Sequence, residues 1–203
     1  MIWFHLLMIQ TYSFLILTLT TTLKNLVNSE TIKLSDWFKA NKLSLNMQKS
    51  NYIIFKPRQR RDKLTLSTEM DGFKMNQVKE VNFLSVILDE TLSWKPHISQ
   101  VASAFSKSVS VIRKSSFCLT RTALCTLYYS LVYSYLQYCI LVWGSTYPTH
   151  LRRLVLLQKR IIRIISKKSF DAHTNPLFKS LMILEIEDIY SLHLGKFMSS
   201  FKK

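Results

Sequence analysis

The apolar pattern of this 203-residue chain changes period once, and that change bounds the fold. Up to Asp89 it comes in short β-type runs, Tyr52-Ile53-Ile54-Phe55 and then a strand over Val81-Asn82-Phe83-Leu84-Ser85-Val86-Ile87-Leu88-Asp89. Residues 64–76 alternate around Asp71-Gly72, a hairpin signal. From Ile98 the β signals stop, and Val101, Ala102, Phe105, Val109 and Ile112 recur at helical spacing. One helix precedes the first strand. Ser35 is its expected N-cap, Trp37 and Phe38 lie on one side, and Asp36, Lys39 and Lys42 lie on the other. Asn41 suits a left-handed helix end. The expectation is an α+β fold with a helix and roughly three to five short strands over residues 24–95, then a helical bundle over 97–200.

Charge points to a partner. The net charge is +16, while 48% hydrophobic residues can supply a core for one domain or two small ones. Residues 91–170 contain no Asp or Glu against twelve Lys and Arg. A solvated basic surface explains basicity but not so long a stretch without acids, which favours a polyanion. Within residues 151–168, Arg152, Arg153, Lys159, Arg160, Arg163 and Lys167 fall in an arc of about 120° at helical spacing. Leu151, Leu154, Val155, Leu157, Ile161, Ile162, Ile164 and Ile165 cover the rest, and only Leu156 strays into the basic arc. Such a helix suits a nucleic-acid backbone or an anionic membrane surface. Residues 56–63, KPRQRRDK, place Lys56, Arg58, Arg60 and Arg61 on a loop, either as a solubilising turn or as phosphate contacts.

Other classes are excluded or open. Three glycines leave no loop for a Walker or dinucleotide site. Cys118, Cys125 and Cys139 have apolar neighbours and no pairing pattern, so free thiols in a reducing compartment are expected. The five histidines show no metal-ligand spacing. Residues 1–23 carry no charge and are long enough to span a membrane, but Gln10 and several threonines lower their hydrophobicity, and no basic segment precedes them as in a signal peptide. Residues 123–143 are a second candidate span, although tyrosines, Ser130, Ser134 and Gln137 run through their middle. A small basic membrane protein with these two spans is therefore the alternative from another class.

Several stretches carry a resemblance. Trp37, Phe38, Asn41, Leu43, Leu45, Asn46, Lys49 and Ser50 spell W-F-x-x-N-x-L-x-L-N-x-x-K-S ahead of a strand. Phe83, Leu84, Val86, Leu88, Asp89, Leu92, Trp94, His97 and Ile98 spell F-L-S-V-x-L-D and L-x-W-x-x-H-I. Residues 127–144 read L-Y-x-S-L-V-x-x-x-L-x-Y-C-x-x-V-W-G, and Leu154, Leu157, Gln158, Arg160, Ile162 and Arg163 continue as L-x-x-L-Q-x-R-x-I-R. Thr174, Leu177, Phe178, Ile183, Leu184, Ile186, Asp188 and Ile189 close the series. In this order they resemble the C-terminal part of the reverse transcriptases of jockey-like non-LTR retrotransposons. The likeness runs from motif D through motif E, the primer grip, into the thumb, and covers about residue 34 to the end.

The resemblance implies a partial palm of a helix and short antiparallel strands over 23–96, an all-α thumb-like region over 97–203, and a leading segment 1–22 outside both. Lys49 would be the motif D lysine near the incoming nucleotide's phosphates. Phe83, Leu84 and Ser85 would form the primer grip, with Ser85 replacing the family's glycine. If that glycine serves a sharp turn, a Cβ there is a liability. The bound polymer would be RNA or DNA, held without regard to sequence. The family uses Mg²⁺, held by motif A and C carboxylates. Neither motif is present in this chain, so no cofactor and no polymerisation are expected of it. The catalytic box should fall near residues 6–11, where there is no acid; one codon choice for LLMIQTYSFL, read two bases on, spells ADDTNIFFS. The first twenty or so residues thus read as out-of-frame translation of a decayed element. Three hypotheses follow: a non-catalytic remnant, a host-used binding module made from the thumb, and the membrane protein above. An intracellular site, nucleus or cytoplasm, suits the first two.

Overall fold

The computed structural model describes residues 19–46, 49–59 and 68–201, the side chains of 19–23 excepted. The proposed span at 1–23, the out-of-frame segment, Arg60, Arg61 and the terminal Lys202-Lys203 fall wholly or largely outside that range. Two units form, one running through Asn82 and including Asp89–Leu92, the other comprising Phe83–Leu88 and the chain from Ser93 on.

The first unit opens on α1 (Leu19–Ala40). Ser35 therefore lies inside a helix and is not its N-cap. Ser29 and Thr31 donate their hydroxyls back to the Leu26 and Val27 carbonyls, at 2.8 and 2.7 Å, which lets these poor helix formers sit mid-helix. The left-handed residue at the C-terminus is Lys42, with φ 55°, one position beyond the expected Asn41. Asn41 instead caps the helix, donating from both its backbone N and its Nδ2 to the Trp37 carbonyl at 3.1 and 2.8 Å.

Short strands follow: β1 (Asn51–Tyr52), β2 (Glu69–Met70), β3 (Phe73–Lys74) and β4 (Asn76–Gln77). Ile53, Ile54 and Phe55, expected to continue β1, are half-buried but outside its ladder. β2 and β3 pair antiparallel across Asp71-Gly72, both at positive φ (51° and 78°), as a two-residue hairpin turn requires. Asp71 Oδ1 accepts from Ser35 Oγ at 2.6 Å and Lys39 Nζ at 2.7 Å, tying the turn to α1. β1 and β4 pair parallel, Asn51 opposite Asn76, where only antiparallel strands were expected. The connection from Tyr52 to Asn76 is long enough for a crossover, which takes about a dozen residues.

β5 (Glu80–Phe83) and β6 (Val86–Asp89) are paired strands joined at Leu84-Ser85, where one continuous strand was expected. Both linking residues have positive φ, 47° and 65°. A leucine at positive φ is among the least expected placements, and no glycine marks the turn. The tip of this hairpin, Phe83–Leu88, belongs to the second unit.

That unit is helical after the tip: α2 (Lys95–Ser115), α3 (Arg121–Tyr128), a π turn (Tyr129–Tyr133), α4 (Ser134–Gln137), α5 (Ile140–Trp143), α6 (Pro148–Ile165), α7 (Asn175–Leu181) and α8 (Ile186–Ser200). α2 buries Ile98, Val101, Ala102, Phe105, Val109 and Ile112 in one core with Leu154, Ile161, Ile162 and Ile165 of α6. Tyr128, Leu136 and Trp143 fill the same core. Ser108, buried on α2, donates its hydroxyl to the Leu131 carbonyl at 3.0 Å, satisfying an acceptor inside the π turn. Gly144 is required by close approach: a Cβ there would lie 2.5 Å from the Ile140 carbonyl and 2.7 Å from the Tyr190 ring.

The candidate span 123–143 does not form. The chain widens into the π turn, becomes extended at Tyr138 (ψ 116°) and takes the left-handed conformation at Cys139 (φ 51°). Among the described residues no helix is long and apolar enough to cross a membrane. The three cysteines are free, but Cys118 is exposed, not set in the core as its neighbours suggested.

Candidate nucleic-acid interface

α6 divides its residues by face. Leu151, Leu154, Gln158, Ile161, Ile162 and Ile165 are buried, while Arg152, Arg153 and the stray Leu156 are exposed. Gln158, the one polar residue on the packed face, is consumed by the fold: its Nε2 donates to Tyr128 Oη at 2.8 Å and to the Leu184 carbonyl at 2.9 Å.

The basic arc is graded. Arg152 and Arg153 stand free in solvent, whereas Lys159, Arg160 and Arg163 are half-buried. Arg163 Nε donates to the Ala172 carbonyl at 2.8 Å, and its guanidinium lies 5.7 Å from the Phe170 ring centroid, so it pins the turn after α6 as well as carrying charge. Asp171, the first acid after the long acid-free stretch, stands beside it. The Ser169 hydroxyl, then its own backbone, and more weakly Arg163 hold that carboxyl below its ordinary range. Lys167 is exposed past the helix end at φ 51°. Among the described residues the ion pairs use Lys33, Lys39 and Lys56, none of them on α6.

The hairpin tip is held by residues from two other matched stretches. Tyr138 Oη donates to the Leu84 carbonyl at 2.6 Å. The Ile87 N–H points at His97 Nδ1 at 3.4 Å, and the buried His97 ring meets the Trp143 edge at 5.6 Å. Burial pushes the His97 pKa down, which keeps Nδ1 an acceptor. Phe83 is half-buried, while Leu84 is 69% exposed and Ser85 is exposed. The matched residues Leu84, His97, Tyr138 and Trp143 thus meet at one place, though they are far apart in sequence. Sequence reasoning had not named Tyr138 or His97 as supports, and had no signal beyond the matched pattern to find them by.

In the first unit, Lys49 is exposed. Its backbone N donates to the Asn46 carbonyl and Oδ1 at 3.1 and 3.3 Å, so the matched Asn46 is bonded to the lysine's own backbone. Lys56 Nζ pairs with Glu90 Oε2 at 3.2 Å, so its charge is largely answered within the protein. Arg58 is exposed in the following turn. Asp89 accepts from Thr91 Oγ1 at 2.6 Å and from the Thr91 backbone at 3.2 Å. Among the described residues no three His, Cys, Asp or Glu come together.

Comparison with known proteins gives the same direction as the matched motifs. The chain is 20% identical over 168 residues to the probable RNA-directed DNA polymerase from transposon X-element of Drosophila melanogaster, an alignment covering 81% of this chain and 18% of that protein. It is 22% identical over 145 residues to the probable RNA-directed DNA polymerase from transposon BS of the same organism, covering 69% of this chain and 16% of that protein. The chain thus spans less than a fifth of the length of these relatives. No family model matches it, and no solved structure gives a significant match. Most of this chain is therefore a reverse-transcriptase-like region, related to the RNA-directed DNA polymerases of transposons.

Proposed function

We propose that this chain is the palm-to-thumb part of a retrotransposon reverse transcriptase, a catalytically incompetent remnant that holds nucleic-acid backbone without reading sequence. In this reading the short-stranded first unit is the palm remnant and the helical unit the thumb. The observation that carries it is α6, with one face packed into the core and the other basic and outside the described ion pairs. Free cations on a rigid helix meet phosphates by ion pairing, which supplies affinity without base readout. The polymerase activity belongs to the longer relatives, and the motif A and C carboxylates it needs are not in this sequence.

Salt-dependent binding tests this. Fluorescence anisotropy on several unrelated oligonucleotides should give affinities indifferent to sequence and falling steeply with salt. Each neutralised phosphate adds about 0.9 to the log–log slope on duplex DNA and about 0.7 on single strands. Changing both Arg152→Gln and Arg153→Gln, which make no described side-chain bond, should flatten the slope by roughly one to two units. A slope unchanged in that variant would leave the arc as a solvated face.

A further inference from the structure

Between α2 and α6 lies a partly open cavity of about 90 Å³ lined by Ser106, Val109, Ser110, Arg113, Leu157 and Arg160. Ser106, Ser110 and Arg113 line it because they recur at i, i+4 and i+7 on α2. From α6 comes Arg160, whose Nε is buried and has no hydrogen-bond partner among the described residues. A guanidinium N–H withdrawn from water with no acceptor is costly, and the cost is removed when an acceptor arrives. No carboxylate can come from nearby sequence, since residues 91–170 contain none.

We propose that this cavity is a seat for a single phosphate group, held between Arg113 and Arg160. Two guanidinium forks on separate helices match the geometry of a tetrahedral oxyanion better than ammonium groups would. The serines are secondary donors. Ser106 Oγ now donates to the Ala102 carbonyl at 2.9 Å and Ser110 Oγ to the Ser106 carbonyl at 3.2 Å, and either hydroxyl can rotate toward an anion. The seat gives the diffuse basic arc one fixed register point, and to that extent it rests on the nucleic-acid reading above. A backbone phosphodiester and a free phosphate share the chemistry.

Two measurements on the full chain separate these sources. In thermal unfolding, inorganic phosphate should raise the wild-type midpoint above a chloride control of matched ionic strength. The rise should vanish in Arg113→Gln, an exposed site that leaves packing intact, and in Arg160→Met, which keeps the apolar stem and removes the guanidinium. In anisotropy, Arg113→Gln should weaken oligonucleotide binding about tenfold, the worth of a charge-assisted hydrogen bond, and the exposed neighbour Lys114→Gln only about twofold. A midpoint rise equal in wild type and both variants would overturn the seat, as would equal losses for Arg113→Gln and Lys114→Gln, and sequence-independent binding would survive either result. A rise that needs both arginines without any oligonucleotide binding would keep the seat, assign it to free phosphate, and remove the nucleic-acid reading.

Discussion

Ser85 shows how a single Cβ carries structural information. The family that the sequence resembles has glycine at this place, and here the residue sits at φ 65° in the two-residue turn between β5 and β6. An L-residue held in that region costs about 1 kcal/mol or slightly more, which glycine avoids. Ser85→Gly should therefore raise stability by about 1 kcal/mol, seen as a higher urea midpoint at unchanged slope. The liability could be read from the sequence as a departure from the family; the positive φ of Leu84 could not, because nothing about a leucine announces it. A second residue-scale effect is set by burial. Tyr128 is fully buried, and desolvation pushes its pKa well above the ordinary tyrosine value, outweighing the hydrogen bond from Gln158. The neutral phenol is thus stabilised in the fold, while an unfolded tyrosine ionises near pH 10. Its contribution is complete below about pH 10 and is lost as pH rises beyond it. Urea titrations between about pH 8 and pH 11 should show stability falling at the alkaline end, and Tyr128→Phe should flatten that fall.

Among the elements, α6 was the most legible, because a helix packed on one side and charged on the other writes its period directly into the sequence. Even Leu156, the one apolar residue in the basic arc, is 58% exposed. The two faces should respond differently to substitution. Ile161→Ala removes a side chain with no exposure and should cost about 2–4 kcal/mol in denaturant unfolding, while Arg152→Gln should stay within about 0.5 kcal/mol. A large loss from Arg152→Gln would mean that this charge is structural. Residues 120–147 were much less legible. Their apolar positions follow no single period, because the chain passes through α3, a π turn, α4 and a left-handed break at Cys139 before α5. An uninterrupted uncharged run can therefore read as a membrane span when it is a bent piece of core. The start of α1 was missed for a related reason: side-chain bonds to its own carbonyls let Ser29 and Thr31 pass inside a helix.

At the scale of the molecule, the sequence separated a strand-bearing region from a helical one, but placed the boundary too simply. The tip of the β5–β6 hairpin, Phe83–Leu88, clusters with the helices, because Tyr138 and His97 reach it only once the chain has folded. No local pattern encodes contacts between residues so far apart. The same long-range view bears on catalysis. Two-metal phosphoryl transfer needs carboxylates free to bridge ions about 4 Å apart. In the first unit Asp71 is bonded to Ser35 and Lys39, Asp89 to Thr91, and Glu90 to Lys56, so these acids serve the fold. The purified chain should accordingly incorporate no labelled nucleotide on a primed RNA or DNA template, with either Mg²⁺ or Mn²⁺. The assay should be run at a protein concentration where anisotropy shows the template bound, so that silence reflects missing chemistry and not missing contact. Template-dependent incorporation above a no-protein control, copurifying with the chain and lost when Asp71→Asn and Asp89→Asn are combined, would overturn the expectation and place the metal site on these carboxylates.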